Sequence, residues 1–303
     1  MIKMEAIFIV FFVFLLFTIP VFGQVILSTT ELLNHAFYLN KDGEYEDSKA
    51  ILDGVIEKEP DNTIALFYRS TAHIGLKQFQ EAIDDLDRIS ALKQELSGGM
   101  HYNYGVAFYE LGEYEEAIQY FELIDEKDHN YINALNKKGI ALLDSSRFEE
   151  AVESFNLVIT NDPDNFTAHL FRGVSLSNLK DYDEALKSIK TAFNLDPQNE
   201  RVNHALQTAL NNKGLSLFYD DSNPEEAIVY FKEALANNPK DHNAVAYLSM
   251  AESKVSEKLA WEIAGSVYVA WILVGLGFLV SFLLYRKSKK QIQRLEEKLS
   301  HGN

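Results

Sequence analysis

EYEDSKAILDGVIEKEPDN at residues 44–62, RFEEAVESFNLVITNDPDN at 147–165 and DYDEALKSIKTAFNLDPQN at 181–199 carry one pattern three times. In each, an aromatic stands three residues before a small residue. A bulky apolar residue follows four later, an apolar or small residue three after that, and proline after five more. Working outward from these stretches exposes a period of 34 residues. The aromatic-to-small pairs become Tyr45/Ser48, Phe79/Ala82, Tyr114/Ala117, Phe148/Ala151 and Tyr182/Ala185, with Ala227 as a sixth small residue. Small residues let two antiparallel helices approach closely, the aromatic closes the turn between them, and proline ends the second helix because it cannot continue the hydrogen-bond ladder. That proline is Pro60, Pro163, Pro197 and Pro239; the second and third copies hold Gln94 and His129 instead, which leaves those helix ends less sharply defined.

The pattern resembles the tetratricopeptide-repeat (TPR) family over nearly all of residues 29–241. The family's small position in the first helix of each pair falls on Ala36, Ser70, Gly105, Gly139, Gly173 and Gly214. The resemblance implies an all-α fold, a right-handed superhelix (α-solenoid) of about six helix pairs, with repeats at 29–62, 63–96, 98–131, 132–165, 166–199 and 207–241. The sixth departs from the pattern: about seven extra residues, Glu200–Leu206, precede it, and its turn, Asp220-Asp221-Ser222-Asn223-Pro224, is longer by one. Residues 242–260 carry Val245, Leu248, Val255 and Leu259 at near-helical spacing, which predicts a helix that caps the open apolar end of the stack.

The same resemblance implies a concave groove lined by the first helices. Its positions fall on Leu33 and Phe37, then Ile64, Phe67 and Ile74, then Tyr102, Val106 and Tyr109. The fourth repeat offers Asn133, Asn136, Ile140 and Asp144, the fifth Leu170, Ser177 and Asn178, and the sixth Asn211, Phe218 and Tyr219. Aromatics supply anchor pockets and side-chain amides pair with the backbone of an extended peptide, so the expected partner is a protein or peptide. Chaperone-binding members of the family grip a C-terminal carboxylate with Lys and Asn, where this sequence has Leu33 and Phe37. That clamp is absent from the sequence.

The net charge of −17 is uneven. Residues 1–23 are neutral and residues 263–303 carry +4, leaving about −21 between them. Such a surface repels phosphate, which argues against nucleic acid as a partner. With no cysteine there is no disulfide, thiolate metal site or cysteine nucleophile. The sequence has no phosphate-binding loop ending in Gly-Lys-Ser/Thr, no HExxH and no nucleophile elbow, and His73, His101 and His169 fall on separate repeats, so neither an enzyme nor a bound cofactor or metal is expected. Asn165-Phe166-Thr167 is a glycosylation sequon.

Two apolar runs frame the repeats. Ala6–Phe22, behind Lys3, reads as the core of a signal peptide (residues 1–23) cleaved after Gly23, the alternative being an uncleaved anchor. Residues 263–285 are free of charge for 23 residues, enough to span a bilayer, and Arg286, Lys287, Lys289, Lys290 and Arg294 follow at once. On either reading residues 24–262 lie outside the cytoplasm and the basic tail, residues 286–303, inside. The function expected is a membrane-tethered interaction scaffold. Alternatives are an accessory subunit of a membrane enzyme or of a secretion or assembly complex, and an envelope component binding cations or glycan through its acidic surface.

Overall fold

The computed structural model describes residues 27–93, 95–220 and 222–300, so the expected signal peptide lies outside the described residues. Among the described residues there are thirteen α-helices and no strand. They are α1 (Thr29–Asp42), α2 (Tyr45–Lys58), α3 (Thr63–Gly75), α4 (Phe79–Ala91), α5 (Gly98–Glu110), α6 (Tyr114–Glu122) and α7 (Tyr131–Asp144). There follow α8 (Phe148–Asn161), α9 (Phe166–Asn178), α10 (Tyr182–Leu195), α11 (Glu200–Tyr219), α12 (Pro224–Asn237) and α13 (His242–Ser300). The chain divides inside α9 into two compact units that meet at Phe171/Arg172. In unit 1 every helix from α1 to α7 packs on its successor, and the first helices α1, α3, α5 and α7 also touch one another in turn. In unit 2 the same arrangement links α10 to α13, with α11 against α13.

One contact recurs in each pair. Where the first helix has glycine, the second brings a large side chain against it: Phe121 on Gly105, Phe155 on Gly139, Ile189 on Gly173 and Phe231 on Gly214. A methyl group added to Gly139 would fall 2.7 Å from the Phe155 ring. In the first two pairs the small residue is Ala36 or Ser70, and the residue sixteen positions later is the smaller Leu52 or Leu86; all four are fully buried. Outside the Gly173–Ile189 pair, a larger residue on the first helix is thus offset by a smaller one on the second, as dense core packing requires.

The turn inside each pair is equally regular. Gly43, Lys77, Gly112, Ser146 and Lys180 all have positive φ, between 60° and 84°, one residue before the second helix's N-cap. The next amide reaches back to close a Schellman motif, as in Glu44 N–H to the Leu39 carbonyl (2.8 Å) and Arg147 N–H to that of Leu142 (2.8 Å). Only two of the five are glycine. Between pairs, proline ends the second helix and a polar residue two positions on caps the next: Asn62 Oδ1 accepts from Ala65 N–H, Asn165 from Ala168 and Asn199 from Arg201. Without that proline, α4 stops at a left-handed Lys93, and the short α6 gives way to turns in which Asp125 and Asp128 accept from the amides of Lys127 and Asn130.

Two sequence expectations change. The extra residues Glu200–Leu206, placed ahead of the sixth repeat at 207–241, instead extend its first helix, α11, by about two turns, with Val202 and Leu206 buried. The start of α13 does pack on α11 and α12, but through Ala244, Tyr247, Leu248 and Ala251. Val245 and Leu259 lie half-exposed off this face, because close approach is set by the alanines and not by the larger aliphatic residues. Beyond them α13 continues unbroken through residues 263–285, exposed throughout; among the described residues it is the one helix long and apolar enough to cross a membrane.

Buried polar groups are tied across the helices. Asp241 at the head of α13 accepts from the Asn211 amide (2.8 Å) and from the Asn243 backbone N–H (2.9 Å). Burial opposes its ionisation, but the hydrogen bonds from Gln207, Asn211 and the Ala244 and Asn243 amides outweigh burial and hold its carboxyl below the usual range.

Four outcomes follow from this packing. Ser146→Gly relieves a left-handed serine and should stabilise the protein by about 0.5–1 kcal/mol, a rise in melting temperature readable by circular dichroism. Gly139→Ala should destabilise by roughly 1–2 kcal/mol, overpacking against Phe155 exceeding the gain in helix propensity. Phe155→Leu should cost less in the Gly139→Ala background than alone, with a coupling of about 1 kcal/mol in denaturant titrations. Because the Asp241 carboxyl is depressed in the folded state, its contribution is present above the unfolded value of about 3.9 and is lost as pH falls through the lower, folded one. Asp241→Asn should therefore narrow the gap between the denaturation midpoints at pH 5 and pH 3.

Candidate partner-binding face

The first helices of unit 1 bring a run of apolar and aromatic side chains to one face. On α1, Phe37 is 45% exposed, and its ring lies 5.4 Å from Tyr38 and 5.6 Å from Tyr68 on α3. Asn40 donates to the Tyr68 carbonyl (2.8 Å), tying α1 to α3 at this point. Ile64, at the head of α3, is 51% exposed, and one turn on, Phe67 lies against the bare backbone of Gly99 on α5. Ile74, Tyr102 and Tyr109 then pack round the cluster that includes Val106 and Phe121.

Further along, the face becomes polar. Tyr109 donates to Asp144 on α7 (2.7 Å), and Lys137 stands 5.4 Å over the Tyr109 ring. Burial first, then the bond to Asp144, pushes the Tyr109 phenol upward, so it stays a donor at neutral pH. Asn133 is exposed, Ile140 half-buried, and Asn136 nine-tenths buried with no hydrogen-bond partner for its Oδ1.

Not every expected groove residue reaches the surface. Leu33, Val106 and Leu170 are buried in the interior of unit 1. In unit 2, Asn178 is exposed and its amide bonds back to the Val174 carbonyl (3.0 Å), while Ser177 is half-buried. Asn211 is buried and held by Asp241. Phe218 and Tyr219, with ring centroids 4.8 Å apart, face a cavity against α13. Asn165 of the sequon caps α9 through Oδ1 while its Nδ2 donates to Asp162 (2.9 Å), so a glycan would displace the second bond and spare the cap.

One network escaped the sequence. Arg69 on α3 pairs in bidentate fashion with Asp85 on α4 (2.8 and 2.6 Å) and reaches Asp53 on α2 (2.7 Å), which also takes Lys49 (3.0 Å). Arg69 and Asp85 are sixteen apart, the spacing of Ser70 and Leu86, so the repeat itself held the signal. Burial disfavours the charged form of Asp53, but the Arg69 and Lys49 hydrogen bonds prevail and lower its carboxyl. The charges are matched within the network, which staples three helices. Among the described residues no group of three His, Cys, Asp or Glu side chains is placed to hold a metal ion.

Residues 13–170, more than half of the chain, match the family model described as T7SS, ESX-1 secretion system protein EccA1, N-terminal domain, and residues 166–199 match the tetratricopeptide repeat model. No curated protein matches. YrrB, described as a TPR protein with an unusual peptide-binding site, superposes with a TM-score of 0.50 at 22% identity over 59% of this chain and 91% of that one. PilW, described as a widely conserved type IV pilus biogenesis factor, gives 0.54 at 18% over 75% and 99%. PilF of Pseudomonas aeruginosa gives 0.52 at 17% over 72% and 96%. These solved structures share the fold with this chain. By repeat pattern, fold and matched models the chain is a tetratricopeptide-repeat protein, and through residues 13–170 it belongs to the family of the ESX-1 secretion system protein EccA1 N-terminal domain.

Proposed function

We propose that this protein is a non-catalytic interaction scaffold that holds an extended peptide or protein segment along the first-helix face of unit 1. Residues 263–285 cross a membrane once, residues 24–262 lie outside the cytoplasm, and the basic tail lies within it. The observation that carries the binding reading is the exposed series Phe37, Tyr38 and Ile64 on consecutive first helices, continued by Phe67. A contiguous apolar face of this kind is a docking surface more often than an accident of composition. YrrB, with its peptide-binding site, lends the same fold to that role. The uncharged, fully exposed stretch of α13 supports the membrane reading, and the Lys and Arg residues that follow it support the orientation.

A second reading is favoured by the family model matched by residues 13–170: an accessory subunit of a secretion or assembly complex, docked through its span. Replacing residues 263–285 by an unrelated apolar helix separates the two, since a scaffold that works through its repeats keeps its partners and one docked through the span loses them.

A photo-crosslinking amino acid at Phe37 or Ile64 of the full chain, in its native membrane, should capture one discrete partner. The same label at Leu157 on α8, equally exposed, should not. Labelling at Leu157 as efficient as at Phe37 would count against the face. Phe37→Ala with Ile64→Ala should weaken binding of the captured partner at least tenfold, in line with about 1–2 kcal/mol per anchor.

A further inference from the structure

A cavity of about 460 Å³ lies in unit 2 where the turn between α11 and α12 meets α13. Its aromatic wall is Phe218 and Tyr219 from the end of α11 with Trp261 from α13, and its polar wall is Lys254, Glu257 and Lys258. Tyr219 is 61% exposed and Trp261 72%. Lys254 reaches Glu257 within the cavity at 3.6 Å, and Lys258 reaches Glu225, just outside the lining, at 2.8 Å, so each ammonium group at the cavity already has a half-exposed carboxylate partner.

Its position along α13 points to its occupant. Trp261 precedes the uncharged run that starts at Ile263 by two residues. At 1.5 Å per residue, Trp261, Lys258 and Glu257 stand roughly 3 to 9 Å above the start of that run. That is the depth of the polar headgroup layer, where tryptophan and tyrosine settle. At this level a bilayer presents headgroups continuously, so even a weak intrinsic affinity keeps such a site filled.

We propose that this cavity binds the headgroup of a zwitterionic phospholipid, its phosphate against Lys258 and its ammonium against the Tyr219 and Trp261 rings and the Glu257 carboxylate. The proposal rests on residues 263–285 crossing the membrane. Cation–π attraction to the exposed rings suits an alkylated ammonium. The local balance of charge, in a chain of net charge −17, disfavours a purely anionic headgroup. Once seated, the lipid joins the last helix pair to the bilayer surface at a second point beside α13.

The chain has two tryptophans, so Trp271→Phe leaves Trp261 as the sole reporter and Trp261→Phe leaves Trp271. With the full chain of the Trp271→Phe variant in detergent, dihexanoyl-phosphatidylcholine below its micelle-forming concentration should shift Trp261 emission saturably. Dihexanoyl-phosphatidylglycerol should need at least fivefold more, inorganic phosphate should give no shift, and Tyr219→Ser with Lys258→Gln should abolish the response. No saturable shift, an equal response to phosphatidylglycerol, or an undiminished response in the double variant overturns the proposal. In vesicles with brominated acyl chains, quenching of Trp271 in the Trp261→Phe chain tests the membrane crossing separately. An unquenched Trp271 overturns the crossing, whereas a quenched Trp271 beside an unresponsive Trp261 overturns the lipid site alone.

Discussion

The meeting of a small residue on one helix with a bulky one on the next decides how close two helix axes come, and the rest of this molecule is arranged around that distance. Glycine on the first helix admits a phenylalanine, as at Gly105 with Phe121 and Gly139 with Phe155. Burying each such ring contributes about 1.5–3 kcal/mol. Where the first helix carries Ala36 or Ser70 the partner shrinks to leucine, so the space between axes is filled in both cases. Serines at the seam are accommodated by bonding across it: Ser48 donates to the Ala36 carbonyl (3.0 Å) and Ser154 to that of Leu135 (2.9 Å). In the fifth pair the equivalent Ser188 is buried with its Oγ unpartnered, so the bond across the seam is made in some pairs and not in others.

Tight pairing also explains what the proposed binding face offers. With the apolar bulk of the second helices turned inward, the first helices are left to line a face of their own, and their exposed rings stand on rigid backbone instead of loops. The polar end is pre-set in the same way: Asn103 is fixed between Ser70 and Thr71 (3.0 and 2.9 Å), and Tyr109 is aimed by Asp144. A partner meeting such a surface loses less to ordering than one meeting mobile loops.

The repeat was legible because its determinants are local and recur: the aromatic, the small residue, the bulky residue and the proline fall at fixed offsets, and each acts on its neighbours in sequence. Second helices begin at the predicted aromatics Tyr45, Phe79, Tyr114, Phe148 and Tyr182. What escaped depends on surroundings. Asn62, Asn165 and Asn199 cap helices two residues after each proline, a signal present in the motif but obscured by the turn it sits in. Glu200–Leu206 joined α11 because Val202 and Leu206 found a core to enter, which periodicity alone does not reveal. The face of α13 was misjudged because alanine, scored as weakly apolar, sets the close contact. Leu33, Val106 and Leu170 stand at positions the resemblance assigns to the groove, yet their aliphatic side chains are buried among the helices, which position in the repeat alone does not reveal.

α13 has no proline and no turn between Asp241 and the uncharged run, so it acts as a shaft and not as a tether. A helix transmits rotation: inserting one residue between the last buried contact at Ala251 and Ile263 turns everything below it by about 100° and lowers it by about 1.5 Å. On the proposed membrane crossing, the azimuth at which the last helix pair sits over the bilayer is therefore written in the number of residues between those two points. A change of register there would leave every helix pair of unit 2 folded while pointing it in a different compass direction.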